Sequence, residues 1–218
     1  MEITSYILKE FKAFTLETRF EEVKSFFNET TFSHFPVVEN NKLIGAISEA
    51  DVLAINDDKL VGDYTYLINL FFAEAAFNLL ETLKVFSNND ANLIPVVNEK
   101  NEYVGYYDLI DVLHLLNNTP FLKNDGAVLV LTKETKDYSF SEICQIIETN
   151  NGKILGLYIE NNNVSTAQII VKFVAQDINE IIQSLRRYNY NVLTKHKEDY
   201  YLEDLKERSD YLQKYLNI

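Results

Sequence analysis

Apolar positions along this chain change their period several times. Phe20, Val23, Phe26 and Phe27 recur at helical spacing, as do Leu79, Leu80, Leu83 and Phe86. Each set predicts a helix with one apolar face. Shortly after each, a β-branched run appears: Pro36-Val37-Val38, then Pro95-Val96-Val97. Each run predicts a short strand. Polar residues rich in Asn and Glu follow and predict a hairpin turn. A second apolar strand then passes through Gly45 or Gly105, where glycine permits close backbone approach. Ser48 or Asp108 caps a helix that begins at the next residue. Each unit reads helix, strand, strand, helix.

The two units are copies. His34-Phe35-Pro36-Val37-Val38, then Leu43-Ile44-Gly45 and Asp51-Val52-Leu53, align with Leu93-Ile94-Pro95-Val96-Val97, then Tyr103-Val104-Gly105 and Asp111-Val112-Leu113. The Pro-Val-Val elements lie 59 residues apart, the glycines and final aspartates 60 apart, because the second turn is one residue longer. A fixed offset of this size marks an internal repeat.

From Gly126 the pattern changes. Strands are predicted at Ala127 to Leu131, Lys153 to Ile159, Gln168 to Val174 and Tyr190 to Thr194. Helices are predicted at Ser141 to Thr149 and Asp177 to Tyr188. The order βαββαβ is that of a ferredoxin-like split sandwich. The expected fold class is therefore α/β (α+β), with two domains and a tail. Residues 1–122 form the paired unit, with repeats at about 1–60 and 61–122. Residues 126–197 form the ferredoxin-like domain, and 198–218 an amphipathic C-terminal helix. Leu202, Leu205, Leu212 and Leu216 give that tail an apolar seam. So short a seam must dock on its own domain or on a partner chain.

Charge narrows the partners. The chain of 218 residues has 33 acidic and 20 basic residues, a net of −13. Residues 1–122 hold 8 basic and 19 acidic residues; residues 123–218 hold 12 and 14. An acidic surface repels nucleic acid and anionic membrane, so neither is expected as a partner. The apolar stretch Tyr64 to Phe86 is broken by Glu74, Glu81 and Lys84, and no membrane span is expected. The start, Met1-Glu2-Ile3-Thr4, lacks the pattern of a signal peptide. A single cysteine, Cys144, fits a reducing, cytoplasmic setting. It falls on the apolar face Phe140, Ile143, Cys144, Ile147 and is expected to be buried.

The paired pattern resembles the CBS domain, which occurs in tandem, and the resemblance covers about residues 1–120. It implies two copies packed about a pseudo-twofold axis, with clefts that often take adenine nucleotides or other adenosine compounds. The family's ligand signature, Gly-x-x-Thr/Ser-x-x-Asp, is met by Gly45, Ser48 and Asp51. The resemblance implies that Asp51 accepts the ribose hydroxyls, that Ser48 meets a phosphate, and that the backbone at His34 and Phe35 flanks the adenine. Ser48-x-x-Asp51 also has the form of a helix capping box, and both readings stay open. In the second copy Gly105 and Asp111 match, but Asp108 replaces the hydroxyl residue. A carboxylate there repels phosphate, while Asp111 could still hold a ribose. Between residues 32 and 53 only His34 and Lys42 are basic. AMP, adenosine or S-adenosylmethionine is accordingly favoured over ATP.

The second domain resembles the ACT domain, a fold that binds amino acids or dimerises. Asp137-Tyr138-Ser139-Phe140 lacks the glycine that amino-acid binders carry before the first helix. The whole arrangement resembles regulatory proteins of the acetoin-utilisation type. No phosphate-binding glycine motif, dinucleotide fingerprint or zinc-protease motif occurs. His34, His114 and His196 are scattered, and the Asp57-Asp58 pair reads as a solvated loop. The expectation is a non-enzymatic, cytoplasmic homodimer that senses an adenosine compound and requires no cofactor or metal. The alternatives are a ligand-free scaffold, or an amino-acid sensor working through the second domain.

Overall fold

A computed structural model describes residues 3–55, 59–162, 165–194 and 211. The expected C-terminal helix apart from Tyr211, the Asp57-Asp58 loop and His196 all lie outside the described residues. The chain forms two compact units, Met1–Asn118 and Thr119–Ile218.

In the first unit α1 (Phe20–Glu29) precedes the hairpin β1 (His34–Glu39) and β2 (Lys42–Ser48), then α2 (Glu49–Leu53). The second copy has β3 (Ala73–Glu74), α3 (Leu79–Asn88), the hairpin β4 (Leu93–Val97) and β5 (Tyr103–Asp108), then α4 (Leu109–Asn117). Asn40 and Asn41 both adopt positive φ, 49° and 66°. That is the two-residue turn whose twist suits a tight hairpin. The repeat survives in the pairing. Phe14 bridges Val37 in parallel, and Ala73 pairs with Val96 in parallel, both partners 59 residues on.

The copies also exchange segments. Leu8, ahead of the first hairpin, pairs with Tyr106 in the second copy. Asn69, ahead of the second hairpin, pairs with Ala46 in the first. At the centre Ser33 N–H donates to Asn92 Oδ1 at 2.7 Å, and Asn92 N–H donates to Ser33 Oγ at 2.9 Å. These are equivalent positions in the two copies, so the bonds lie across a local pseudo-twofold.

Two apolar cores result. Phe14, Phe20, Phe27, Phe35, Leu93 and Tyr106 belong to one. Phe86, Ile94, Val96, Tyr107 and Val112 belong to the other. Leu80, expected on the buried face of α3, is 72% exposed, while Thr82 is fully buried. Asn78 caps this helix in a reciprocal box with Glu81, and the cap sets its phase. Thr82 tolerates burial because its hydroxyl donates to Asn78 O at 3.0 Å.

In the second unit α5 (Pro120–Lys123) leads into β6 (Ala127–Glu134), α6 (Phe140–Thr149), β7 (Lys153–Asn162), β8 (Thr166–Val174), α7 (Ile178–Arg187) and β9 (Asn191–Val192). The sheet order β7-β8-β6-β9 is antiparallel throughout, as a ferredoxin-like sandwich requires. Its core packs Leu129, Leu131, Ile169, Val171 and Phe173 against Ile143, Ile147, Ile181 and Leu185. Cys144 departs from expectation. The buried face of α6 runs through Ile143, Ile146 and Ile147, which turns Cys144 to its margin, half-buried. Among the described residues no helix is long and apolar enough to cross a membrane.

Candidate functional site

Register brings three of the expected residues together. His34 opens β1 directly opposite Ser48, the last residue of β2. Asp51 follows one turn into α2. Ser48 is the N-cap, its Oγ accepting from Asp51 N–H at 3.1 Å. The same hydroxyl donates to Asp51 Oδ2 at 2.7 Å. This is not a reciprocal capping box. In α3 the Glu81 carboxylate returns to the cap residue's own backbone N–H at 2.8 Å. Asp51 instead takes the cap's side-chain hydroxyl, and its Oδ1 has no hydrogen bond among the described residues. Helix capping thus leaves half of a partly buried carboxylate unused.

His34 is half-buried, its Nδ1 2.9 Å from Ser33 Oγ. Burial lowers its pKa below the ordinary value, against the opposing pull of Asp51 and then Asp90. The ring is therefore biased neutral. Phe71 meets it edge-on at 5.4 Å. Phe71 comes from the second copy, carried there by the pairing of Asn69 with Ala46. It was not singled out from sequence, because nothing in the apolar run around it marks which side chain reaches the other copy's hairpin.

Phe35 and Gly45 stand differently. Phe35 is fully buried among Phe14, Phe26 and Tyr106, so its ring is spent on the core and only its backbone is available. Gly45 has φ +156°, and a Cβ there would lie 2.6 Å from Ile68 Cγ2 and 2.7 Å from Asn69 O. The crossing segment alone accounts for this glycine. Asp111 occupies the place on α4 that Asp51 has on α2, so the six expected residues fall in two places. Beside it Asp108 caps α4, its Oδ1 accepting from Ile110 N–H at 2.8 Å and Asp111 N–H at 3.3 Å. That carboxylate satisfies the helix end and puts negative charge where the first copy has a hydroxyl.

In the second unit, the turn before α6 is already filled. Tyr190 Oη lies 3.1 Å from Ser139 N, accepting its N–H, and donates to Ser139 O at 3.2 Å. Lys133 Nζ contacts Glu142 Oε2 at 2.7 Å and sits 4.1 Å over the Tyr190 ring. The bond to Lys133 holds the Glu142 carboxyl below its ordinary range.

The chain matches the CBS domain family at residues 3–58 and again at 61–118. An uncharacterised protein of Methanocaldococcus jannaschii is 26% identical over 114 residues, an alignment covering 52% of this chain and 43% of that relative. The match thus spans less than half the length of the relative. Among solved structures, a CBS domain pair/ACT domain protein from Thermotoga maritima is 20% identical, with 53% of this chain and 96% of that one covered and a TM-score of 0.47. CBSX2 in complex with AMP is 17% identical, with 53% and 95% covered and a TM-score of 0.45. The cytosolic domain of the Mg2+ channel MgtE in complex with ATP is 22% identical, with 50% and 46% covered and a TM-score of 0.43.

Proposed function

The chain belongs to the CBS domain family, and on that premise we propose that its CBS pair senses an adenosine-containing ligand at the end of the β1–β2 hairpin. The observation that carries this reading is the unused Oδ1 of Asp51, beside a hydroxyl cap and a neutral imidazole. A free carboxylate oxygen at a half-buried position suits the two hydroxyls of a ribose. The edge-on pair His34 and Phe71 offers an aromatic wall for a purine.

The same geometry supports an order of preference among ligands. Ser48 Oγ already gives its hydrogen to Asp51, which leaves no hydroxyl donor for a phosphate. His34 carries no compensating charge. Adenosine, AMP or S-adenosylmethionine therefore fits better than ATP. Asp108 opposes a phosphate in the second copy, so one ligand per chain is expected, with Asp111 left as a weaker ribose acceptor.

The remainder of the reading follows from this one. The protein acts by regulation and not by catalysis, in the cytoplasm and without a required cofactor, as a homodimer. Residues 126–197 resemble an ACT domain and serve assembly. Tyr190 supports that role, since it takes up the Ser139 backbone groups that an amino acid would need. The arrangement resembles regulatory proteins of the acetoin-utilisation type, which suits action on a protein partner.

The test is calorimetry with adenosine, AMP, S-adenosylmethionine and ATP on wild type, Asp51→Ala and Asp51→Asn. Each charge-assisted hydrogen bond is worth about 1.5–3 kcal/mol, so Asp51→Ala should lower affinity at least tenfold for a diol held twice. Wild type without affinity for any of the four, or Asp51→Ala with unchanged affinity, leaves a ligand-free scaffold as the better account. Light scattering should report about twice the 25.3 kDa chain mass.

A further inference from the structure

A cleft of about 500 Å3 opens at the other end of the first hairpin, beside its turn, away from Asp51. We propose that it binds a small organic anion, with an apolar body and a phosphate, sulfonate or carboxylate head group.

Size admits such a ligand, since small-molecule sites run from roughly 300 to 1,000 Å3. Charge then selects among ligands. Residues 1–122 carry 19 acidic and only 8 basic side chains, yet the lining includes two of those eight, Lys9 and Lys12, and no Asp or Glu. Neither lysine forms an ion pair among the described residues. The flanking carboxylates of Glu10, Glu39 and Glu102 stay out of the lining, and Glu102 is held by the Asn98 amide at 2.8 Å.

The cations are also held in place. Their segment is pinned at one end, where Leu8 N–H donates to Tyr106 O at 2.8 Å. It is pinned at the other, where Phe14 N–H donates to Pro36 O at 2.9 Å and Val38 N–H to Phe14 O at 2.7 Å. Opposite stand Asn40 and Asn41, set by their left-handed turn, with side-chain amides free of hydrogen bonds among the described residues. Two cations and two amides on fixed backbone suit an oxyanion. Phe11 and Val38 supply the apolar wall. Tyr103, also in the lining, has a buried hydroxyl with no partner among the described residues. An unpaired buried donor beside a cleft is a feature that a ligand or a carried-in water accounts for.

Fluorescence titration of the full chain tests this with anilinonaphthalene sulfonate and with neutral phenylnaphthylamine, which shares its rings. The variants are the Lys9→Gln/Lys12→Gln pair and Asp51→Ala. Both lysines are exposed, and circular dichroism verifies that the variants fold. The sulfonate should saturate one site per chain. The double variant should weaken it at least about tenfold, and leave the neutral probe unchanged. Asp51→Ala should leave both unchanged, which separates this site from the adenosine site. Three results overturn the proposal: no saturable sulfonate binding, wild-type affinity in the double variant, or an equal loss for the neutral probe.

Discussion

Gly105→Ala should be among the most damaging single changes in this protein. Gly105 has φ +143°, and a Cβ there would stand 2.4 Å from Leu8 O and 2.5 Å from Ile7 Cγ2. The backbone conformation alone costs a non-glycine residue about 1–3 kcal/mol. The added methyl then presses on a carbonyl that cannot move freely, because Leu8 O accepts from Tyr106 N–H at 3.0 Å. Overpacking of this kind costs about 1–3 kcal/mol more. The sum, about 2–6 kcal/mol, is a large share of the 5–15 kcal/mol that holds an ordinary domain. Urea unfolding followed by circular dichroism measures it. Gly62→Ala is the comparison, with its nearest contact at 3.0 Å from Leu16 O and no left-handed φ, and should lose markedly less. Where Gly105→Ala is too unstable to measure, adding Ile7→Ala removes the side-chain part of the clash and should restore a transition. A Gly105→Ala protein within about 1 kcal/mol of wild type would refute the reasoning, since the crossing segment would then not be fixed against this strand.

Three further outcomes are expected. Tyr190→Phe should lower the second unit's stability by about 1–3 kcal/mol in thermal melts, because Ser139 N–H loses its acceptor. Burial lowers the folded pKa of His34, so the unfolded chain binds the extra proton first as pH falls below about 6.5. Stability should decline through that window, and melting temperatures of His34→Gln from pH 7.5 to 5 should lack that share of the slope. Glu142 has a folded pKa lowered by Lys133. Its contribution is complete above the ordinary carboxylate value and is lost as pH falls through the folded one. Lys133→Met should flatten this acid limb in pH titrations of stability.

Periodicity carried the architecture well where each element has a single buried face. The repeat, both hairpins, the capped helices at Ser48 and Asp108 and the βαββαβ order all follow from local spacing. What spacing could not convey is contact between copies. Gly45 and Gly105 read as places of close approach, but the approaching groups, Ile68 with Asn69 and Ile7 with Leu8, come from the far copy. Phase errors arose for a similar reason. Leu80 and Cys144 each lie on a plausible apolar stripe, but the caps at Asn78 and Ser139 fix the helix rotation, which turns Leu80 outward and Cys144 to the margin of the buried face.

The site was legible only as a set of residue types. Ser48 and Asp51 satisfy a capping box and a ligand signature equally well on paper, because both need a hydroxyl and a carboxylate three residues apart. The cap at Ser48 differs from the box in α3 by which donor the carboxylate accepts. In α3 it is the cap's backbone N–H; at Ser48 it is the side-chain hydroxyl. The second copy supplies the contrast. Asp108 gives one oxygen to two helix N–H groups and so caps α4 without help from Asp111. The two copies of one fold thus meet the same capping demand in different ways, with a hydroxyl at Ser48 and with a carboxylate at Asp108.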